Sequence, residues 1–204
     1  MFSVYSGSRS DIPSGGGEKL SHDHLIEKTL SSKTIYEGKV IDLTVQTVQL
    51  PNGKEALREV VLHPGAVTVL AITDEDKILL VSQFRKPTER VLIETPAGKL
   101  ERGENPLESA KRELEEETGY VAKEWKHLAS FYTSPGFADE LMHAYVATGL
   151  TLTKQNLDDD EFLDVLAVTA DEVQQMIADG QIYDAKTLAC VYWWLRERAL
   201  QGKA

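Results

Sequence analysis

The sequence predicts an α/β fold: a sandwich built on a mixed sheet, preceded by a small antiparallel β unit. Three observations carry that reading. "GAVTVLAIT" and "KILLVSQFR" are near-continuous apolar runs parted by the polar turn Asp74-Glu75-Asp76, which suits strands covered on both faces. "NPLESAKRELEEETG" carries helix punctuation at both ends. From about Asp184 to Leu200, Leu188, Val191, Trp194 and Leu195 line one apolar stripe of a second helix. Strands interrupted by one helix and closed by another stack into layers.

In chain order, "MFSVYSGSRSDIPSGGGEKLS" is rich in Ser and Gly and lacks the apolar core of a signal peptide. Residues 1–24 read as a disordered leader or an expression remnant. "VIDLTVQTVQL", Val40 to Leu50, is β-branched; "PNG" at Pro51 to Gly53 turns the chain; "ALREVVLH" returns as a partner strand. This makes 25–64 an N-terminal β unit suited to dimerisation, and 65–204 the main domain. "RVLIETPAG" is a short strand ending at Pro96. The helix that follows has Asn105 as N-cap and Pro106 at its first position. Glu108 stands where a capping box wants an acid, and Gly119 is the stop. "KHLASFYTS" and "ELMHAYVAT" read as strands around the loop Ser134-Pro135-Gly136, and "FLDVLAV" as another. Thr169 and Glu172 form a capping box for a helix that stops at Gly180.

A chain of 204 residues supports one sizeable core. The net charge of -11 disfavours nucleic acid or anionic membrane as a partner through bulk charge. An anionic ligand would need local cations. No apolar run approaches the ~20 residues of a membrane span. Cys190 is the single cysteine, so no internal disulfide forms, which fits a reducing compartment and a cytoplasmic location. The five histidines have no metal-ligand spacing. His63 and His143 read as structural, Cys190 as packed, and Trp193-Trp194 as core or dimer contact.

"RELEEETGY", Arg112 to Tyr120, sets four glutamates within five positions. On a helical wheel Leu107, Ala110 and Leu114 define the buried side. Glu108, Lys111 and Glu115 fall opposite, where a Lys111–Glu115 pair explains Glu115. Glu113, Glu116 and Glu117, at i, i+3 and i+4, have no such explanation. They form an acidic strip at the edge of the apolar face, where mutual repulsion should raise their pKa values. A hard divalent cation would relieve that repulsion, and Mg²⁺ favours one or two carboxylates plus phosphate oxygens and water.

The flanking residues sharpen the pattern. Gly98 is followed after five residues by Glu104, then after seven by Arg112-Glu113-Leu114, then after one by Glu116-Glu117, then after one by Gly119-Tyr120. The chain thereby resembles the Nudix hydrolases, departing only in an aromatic last position. Within them it is similar to the ADP-ribose pyrophosphatases through "GKVIDL", "LPNGK", "REVVLHPGAV", "QFRKP", "ETPAGKLE", "FYTSPGFADE", "DDDEF" and "YDAKT". Pro135 stands where that subgroup carries a proline. The resemblance implies a Nudix-type α/β/α sandwich and Mg²⁺-dependent hydrolysis of ADP-ribose to AMP and ribose 5-phosphate, with Mn²⁺ able to substitute. The implied metal ligands are Glu113 and Glu117, with Glu116 assisting and the Ala97 carbonyl completing the shell. Glu104 supports them. Arg112 orients the glutamates or makes a surface pair with Glu108 or Glu116.

The implied general base is Glu161, then Asp159, on the acidic loop "LDDDEF"; the plain alternatives are a solvated turn or a box glutamate as base. Arg85 and Arg58 suit forked phosphate contacts, or surface salt bridges. Glu94 could touch ribose or support other groups. Pro135, Gly136, Asp139 and Glu140 lie on a loop that could close over substrate. Tyr36, Phe137 and Tyr132 could stack on adenine, or be core. Related enzymes are homodimers with swapped N-terminal strands, which would bring Arg58 to the other subunit's site. The rival readings are another ADP-sugar, FAD or a damaged nucleotide as substrate, or a non-catalytic ADP-ribose sensor. The last is disfavoured because every box glutamate is present.

Overall fold

The computed structural model describes residues 22–157 and 161–202. The leader up to residue 21 and Asp158, Asp159 and Asp160 of the acidic loop lie outside the described residues.

A 3-10 turn at Asp23–Leu25 leads into β1 (Lys28–Glu37), β2 (Asp42–Gln49) and β3 (Glu55–Leu62), an antiparallel sheet in the order β1-β2-β3. The β2–β3 hairpin is the one expected around Pro51–Gly53. β1 is an additional strand. Its ten residues are all exposed, so no face of it carries a burial pattern. Its register against β2 slips twice, leaving Leu30 and Ile35 as bulged extra residues.

β4 (Ala66–Ala71) is buried along its whole length. It runs parallel to β9 (Leu141–Leu152) and antiparallel to β7 (Ala97–Lys99), and β8 (Tyr120–Tyr132) completes a mixed sheet in the order β7-β4-β9-β8. The other long apolar run, β5 (Ile78–Arg85), leaves this sheet after the bridge Ile72–Ile78. It pairs instead with β6 (Arg90–Glu94) and β10 (Leu163–Val168), in an antiparallel sheet ordered β10-β5-β6. Beyond the N-terminal unit the sequence suggests one mixed sheet, and the described residues form that mixed sheet plus a second, antiparallel one.

Two cores result. α1 (Pro106–Thr118) presses Ala110 and Leu114 onto Val67, Val69, Ala71, Leu79, Tyr145 and Ala147. On the other side, α2 (Ala170–Ala178) and α3 (Ala185–Leu200) bring Val173, Cys190, Val191 and Trp194 against Leu70, Ile78, Leu80 and Val168. Helices thus cover both sides of the strands.

"RVLIETPAG" is not one strand. β6 ends at Glu94 in the antiparallel sheet and β7 starts at Ala97 in the mixed sheet, so Thr95-Pro96 is the crossing between them. Proline has no N–H for a ladder, which suits it to the crossing. Its carbonyl accepts from Val69 N at 2.8 Å.

The caps follow the sequence. Asn105 Oδ1 accepts from Leu107 N at 2.9 Å, and Gly119 takes φ 73 with its N–H on Glu115 O. Glu108 is instead held by Lys111 at 2.8 Å. This also replaces the expected Lys111–Glu115 pair; Glu115 accepts from Thr153 Oγ1. Both halves of the Thr169–Glu172 capping box are present. Among the described residues no helix is long and apolar enough to cross a membrane.

Candidate active site

The acidic strip of α1 faces the start of β7. Glu113 and Glu117 are buried, at 8% and 2% exposure, and Glu116 is half-buried. Ala97 N donates to Glu117 Oε2 at 2.9 Å. At Gly98 an added Cβ would fall 1.9 Å from Glu113 Cδ. Only a residue without a side chain lets the carboxylate lie this close to the strand. The first two residues of β7 therefore sit directly against the two buried acids.

Arg112 straps the strip from the solvent side. Its Nη1 donates to Glu113 at 2.8 Å and to Glu116 at 3.0 Å, while its Nη2 reaches Glu104 at 3.3 Å and Ser109 Oγ at 3.2 Å. Of the two surface pairs weighed for it, the one with Glu116 forms. Glu104 also accepts from Glu101 N at 2.9 Å. That bond and Arg112 outweigh its desolvation and hold it below the usual carboxylate range.

The two buried acids go the other way. Burial is the leading cause for both. Glu113 is raised despite Arg112, and Glu117 is pushed up to about 8 despite the Ala97 N–H. The repulsion expected from sequence is real but secondary, and it includes Glu161, whose charge raises both. Glu161 therefore lies within electrostatic reach of the strip. Phe84, Val91, Leu157 and Phe162 line a shallow apolar cleft beside it.

Arg85 and Glu94 meet as a fork. Arg85 Nε and Nη2 donate to the two carboxylate oxygens of Glu94 at 2.8 and 2.9 Å, leaving Nη1 unused by that pair. Arg85 is partly exposed and also feels the charge of Glu117. Glu94 is fully buried, and its back is held by Lys186, which in turn bonds Asp184 at 3.0 Å. Desolvation alone would raise Glu94; the two cations bring it below its ordinary value. Lys186, Asp184 and Thr187 were missed by sequence reasoning. Their one signal was "YDAKT", and nothing local ties it to a residue 92 positions earlier. Gln83, on the same face of β5 as Arg85, carries the buried side-chain oxygen that lacks a hydrogen-bond partner among the described residues.

The remaining candidates lie on other elements, chiefly β3 and the connection between β8 and β9. Arg58, on β3, is half-exposed and forked onto Glu27, with Nε at 2.9 Å. Pro135 and Gly136 are exposed at a loop tip. That loop is hydrogen-bonded to β3 through Val61 N to Phe137 O at 2.8 Å and Asp139 N to Val61 O at 3.1 Å. Asp139 Oδ1 is taken by His63 N at 2.8 Å, and Glu140 by Thr133. Both acids thus brace the loop. Tyr36, Phe137 and Tyr132 are all exposed, so none is core. His63 Nδ1 accepts from Gly65 N, His143 bonds Ser130, and Cys190 is packed in the core.

The donor set suits a hard cation. Among the described residues no three or more His, Cys, Asp or Glu side chains come together as a group that could hold a metal ion by themselves. Mg²⁺ does not need one, since it keeps waters and shares its shell with substrate phosphate. Glu113, Glu116, Glu117 and the Ala97 carbonyl offer only oxygens. A divalent ion would stabilise as anions two carboxylates that burial otherwise disfavours.

Comparison with known proteins places the chain by sequence and by fold. Residues 62–189 match the family described as NUDIX domain, and residues 27–61 match the nucleoside diphosphate sugar hydrolase N-terminal domain. The chain is 52% identical over 181 residues to an ADP-ribose pyrophosphatase of Bacillus subtilis (strain 168), covering 88% of this chain and 98% of that protein. It is also 52% identical over 180 residues to a methanol dehydrogenase activator of Bacillus methanolicus, covering 87% and 97%. A solved structure described as an ADP compounds hydrolase superposes with a TM-score of 0.77 at 22% identity, over 87% of this chain and 97% of that one. At that identity the likeness speaks for the fold alone.

Proposed function

This chain belongs to the Nudix hydrolase family, and from that premise we propose that it cleaves the diphosphate bond of ADP-ribose, giving AMP and ribose 5-phosphate, with Mg²⁺ as its metal and Mn²⁺ able to substitute. The observation that carries the reading is the seating of Glu113 and Glu117 against Ala97–Gly98, with Arg85 close enough to feel Glu117. Similarity to an ADP-ribose pyrophosphatase along almost its whole length supports the choice of substrate.

Hydrolases of this family work with a divalent metal. Bound by Glu113, Glu116, Glu117 and the Ala97 carbonyl, it would screen the diphosphate charge and acidify a water. The chain's own groups do the rest. Arg112 holds Glu113 and Glu116 in place through its Nη1. Arg85, fixed by Glu94, offers Nη1 to a phosphate oxygen. Glu161, within electrostatic reach of Glu113 and Glu117, accepts the proton of the attacking water. Gln83 Oε1 gives a ribose hydroxyl an acceptor.

The N-terminal unit, 25–64, pairs with a second copy, and Arg58 exchanges Glu27 for the partner's substrate. In support, Leu30, Ile35, Tyr36 and Leu57 are exposed on a three-stranded sheet whose strand β1 has no cover. Cytoplasmic residence fits a chain whose lone thiol is buried and unpaired.

A panel of ADP-ribose, other ADP-sugars, GDP-mannose and FAD, assayed with Mg²⁺ and with Mn²⁺, tests the reading. ADP-ribose should give the highest kcat/KM, with AMP and ribose 5-phosphate as products. Preference for another member, or no hydrolysis of any, would refute it. Sedimentation should give twice the monomer mass of 22.7 kDa.

A further inference from the structure

We propose that Lys186 is a positioning residue for this hydrolysis: the first turn of α3 holds Glu94 from behind, so that Arg85 points at the substrate diphosphate. This deepens the reading above and rests on it.

Lys186 stands where its own helix gains nothing from it. It lies in the first turn of α3, where the backbone dipole favours anions and opposes cations. It is also nearly inaccessible, at 9% exposure, and burying an ammonium is costly unless partners surround it. Its partners are Glu94, 92 residues away in sequence, and Asp184, the helix N-cap.

Glu94 Oε2 is shared between Arg85 Nη2 and Lys186 Nζ. Glu94 and Asp184 are two anions; Arg85 and Lys186 are two cations. Without Lys186, the buried Glu94 carboxylate would rest on Arg85 alone and draw the guanidinium inward. With it, Glu94 is balanced from the side away from substrate, and the charge of Arg85 remains available to phosphate.

The same turn of helix fixes the other arm of the site. Asp184 Oδ2 accepts from Thr187 N at 3.0 Å and from Thr187 Oγ1 at 2.6 Å. Thr187 Oγ1 accepts from Thr95 N at 2.8 Å. Thr95 leads through Pro96 to Ala97, whose N–H holds Glu117. One anchor in α3 thus sets both the residue that would meet the diphosphate and the strand that meets the acidic strip.

A double-mutant cycle tests this, using wild type, Lys186→Met, Arg85→Met and the double variant, with ADP-ribose and Mg²⁺. Lys186→Met should raise KM by about tenfold or more, the worth of one charge-assisted hydrogen bond, with kcat little changed. On the Arg85→Met background the same change should leave KM within about twofold, because the effect travels through Arg85. Lys186→Arg should recover most of the wild-type KM. Lys186→Gln gives the same cycle if the methionine variant does not fold. The proposal is overturned if the Lys186 effect is equal on both backgrounds, or if only the melting temperature falls while KM stays. Failure of wild type to hydrolyse ADP-ribose would instead sink the substrate assignment. The cycle would then be read on whichever nucleoside diphosphate the wild type cleaves.

Discussion

Replacing Gly98 with alanine separates the acidic strip's geometry from its chemistry. The new methyl group would lie 1.9 Å from Glu113 Cδ, 2.0 Å from Oε1 and 2.3 Å from Oε2. Ordinary contact begins at 3.4 Å, so the carboxylate must retreat by roughly 1.5 Å. Gly98 is not among the positive-φ glycines, so alanine adds no backbone strain. Alanine should stiffen the unfolded chain by about 0.4–1 kcal/mol. Disturbing the Arg112–Glu113 pair, whose arginine is partly exposed but whose carboxylate is buried, costs about 1–3 kcal/mol. The net loss of stability should therefore stay within about 2.5 kcal/mol, or roughly 5–10 °C in Tm for a chain of this size. Activity should not survive so well, since displacement of a site group by about 1 Å costs on the order of 100-fold. The assay is AMP release from ADP-ribose at saturating Mg²⁺, beside thermal unfolding. A variant that folds normally and keeps more than a tenth of wild-type turnover would refute the role given to Glu113.

Other outcomes follow from the same site. Glu117→Gln should lower turnover by about 100-fold or more, the several kcal/mol a metal supplies, while circular dichroism stays native; wild-type rate in Mg²⁺ would remove Glu117 from the ligand set. With Glu117 raised from 4.5 to about 8 in the folded, metal-free protein, the neutral acid is the favoured form. Its contribution to stability is full below pH 4.5 and is lost as pH rises through 8. Added Mg²⁺ should therefore raise Tm more at pH 8 than at pH 5.5, and Glu117→Gln should flatten that difference. Burial pushes the Cys190 thiol up to about 12. An aromatic disulfide reagent at pH 8 should leave native protein unlabelled and label it stoichiometrically in urea; fast native labelling would contradict the packing of α3.

What could be read from the sequence was local. Asn105, Pro106 and Gly119 each act within one turn of α1, and the spacing from Gly98 to Gly119 encodes which side chains share a face. The parting of β4 from β5 was hidden because both are apolar runs and their lateral partners lie far along the chain. β1 was hidden for the opposite reason, having no buried face to impose a period. The roles of Lys186, Asp184 and Thr187 depend on contacts with Glu94 and Thr95, which no periodicity or cap can report. Glu94 itself was flagged as a ribose contact or a support, and its fork with Arg85 makes it a support. Asp139 was singled out for its charge, and only the fold reveals that the His63 amide occupies it.

The bulges at Leu30 and Ile35 bear on how the N-terminal sheet ends. A ten-residue strand at the rim of a sheet, with no further strand beside it among the described residues, could template growth into fibres. Two kinks, with lysines at Lys28 and Lys33 between and before them, interrupt that row and oppose stacking of like strands. Deleting Leu30 and Ile35 would straighten the rim and turn a self-limiting edge into an open-ended one.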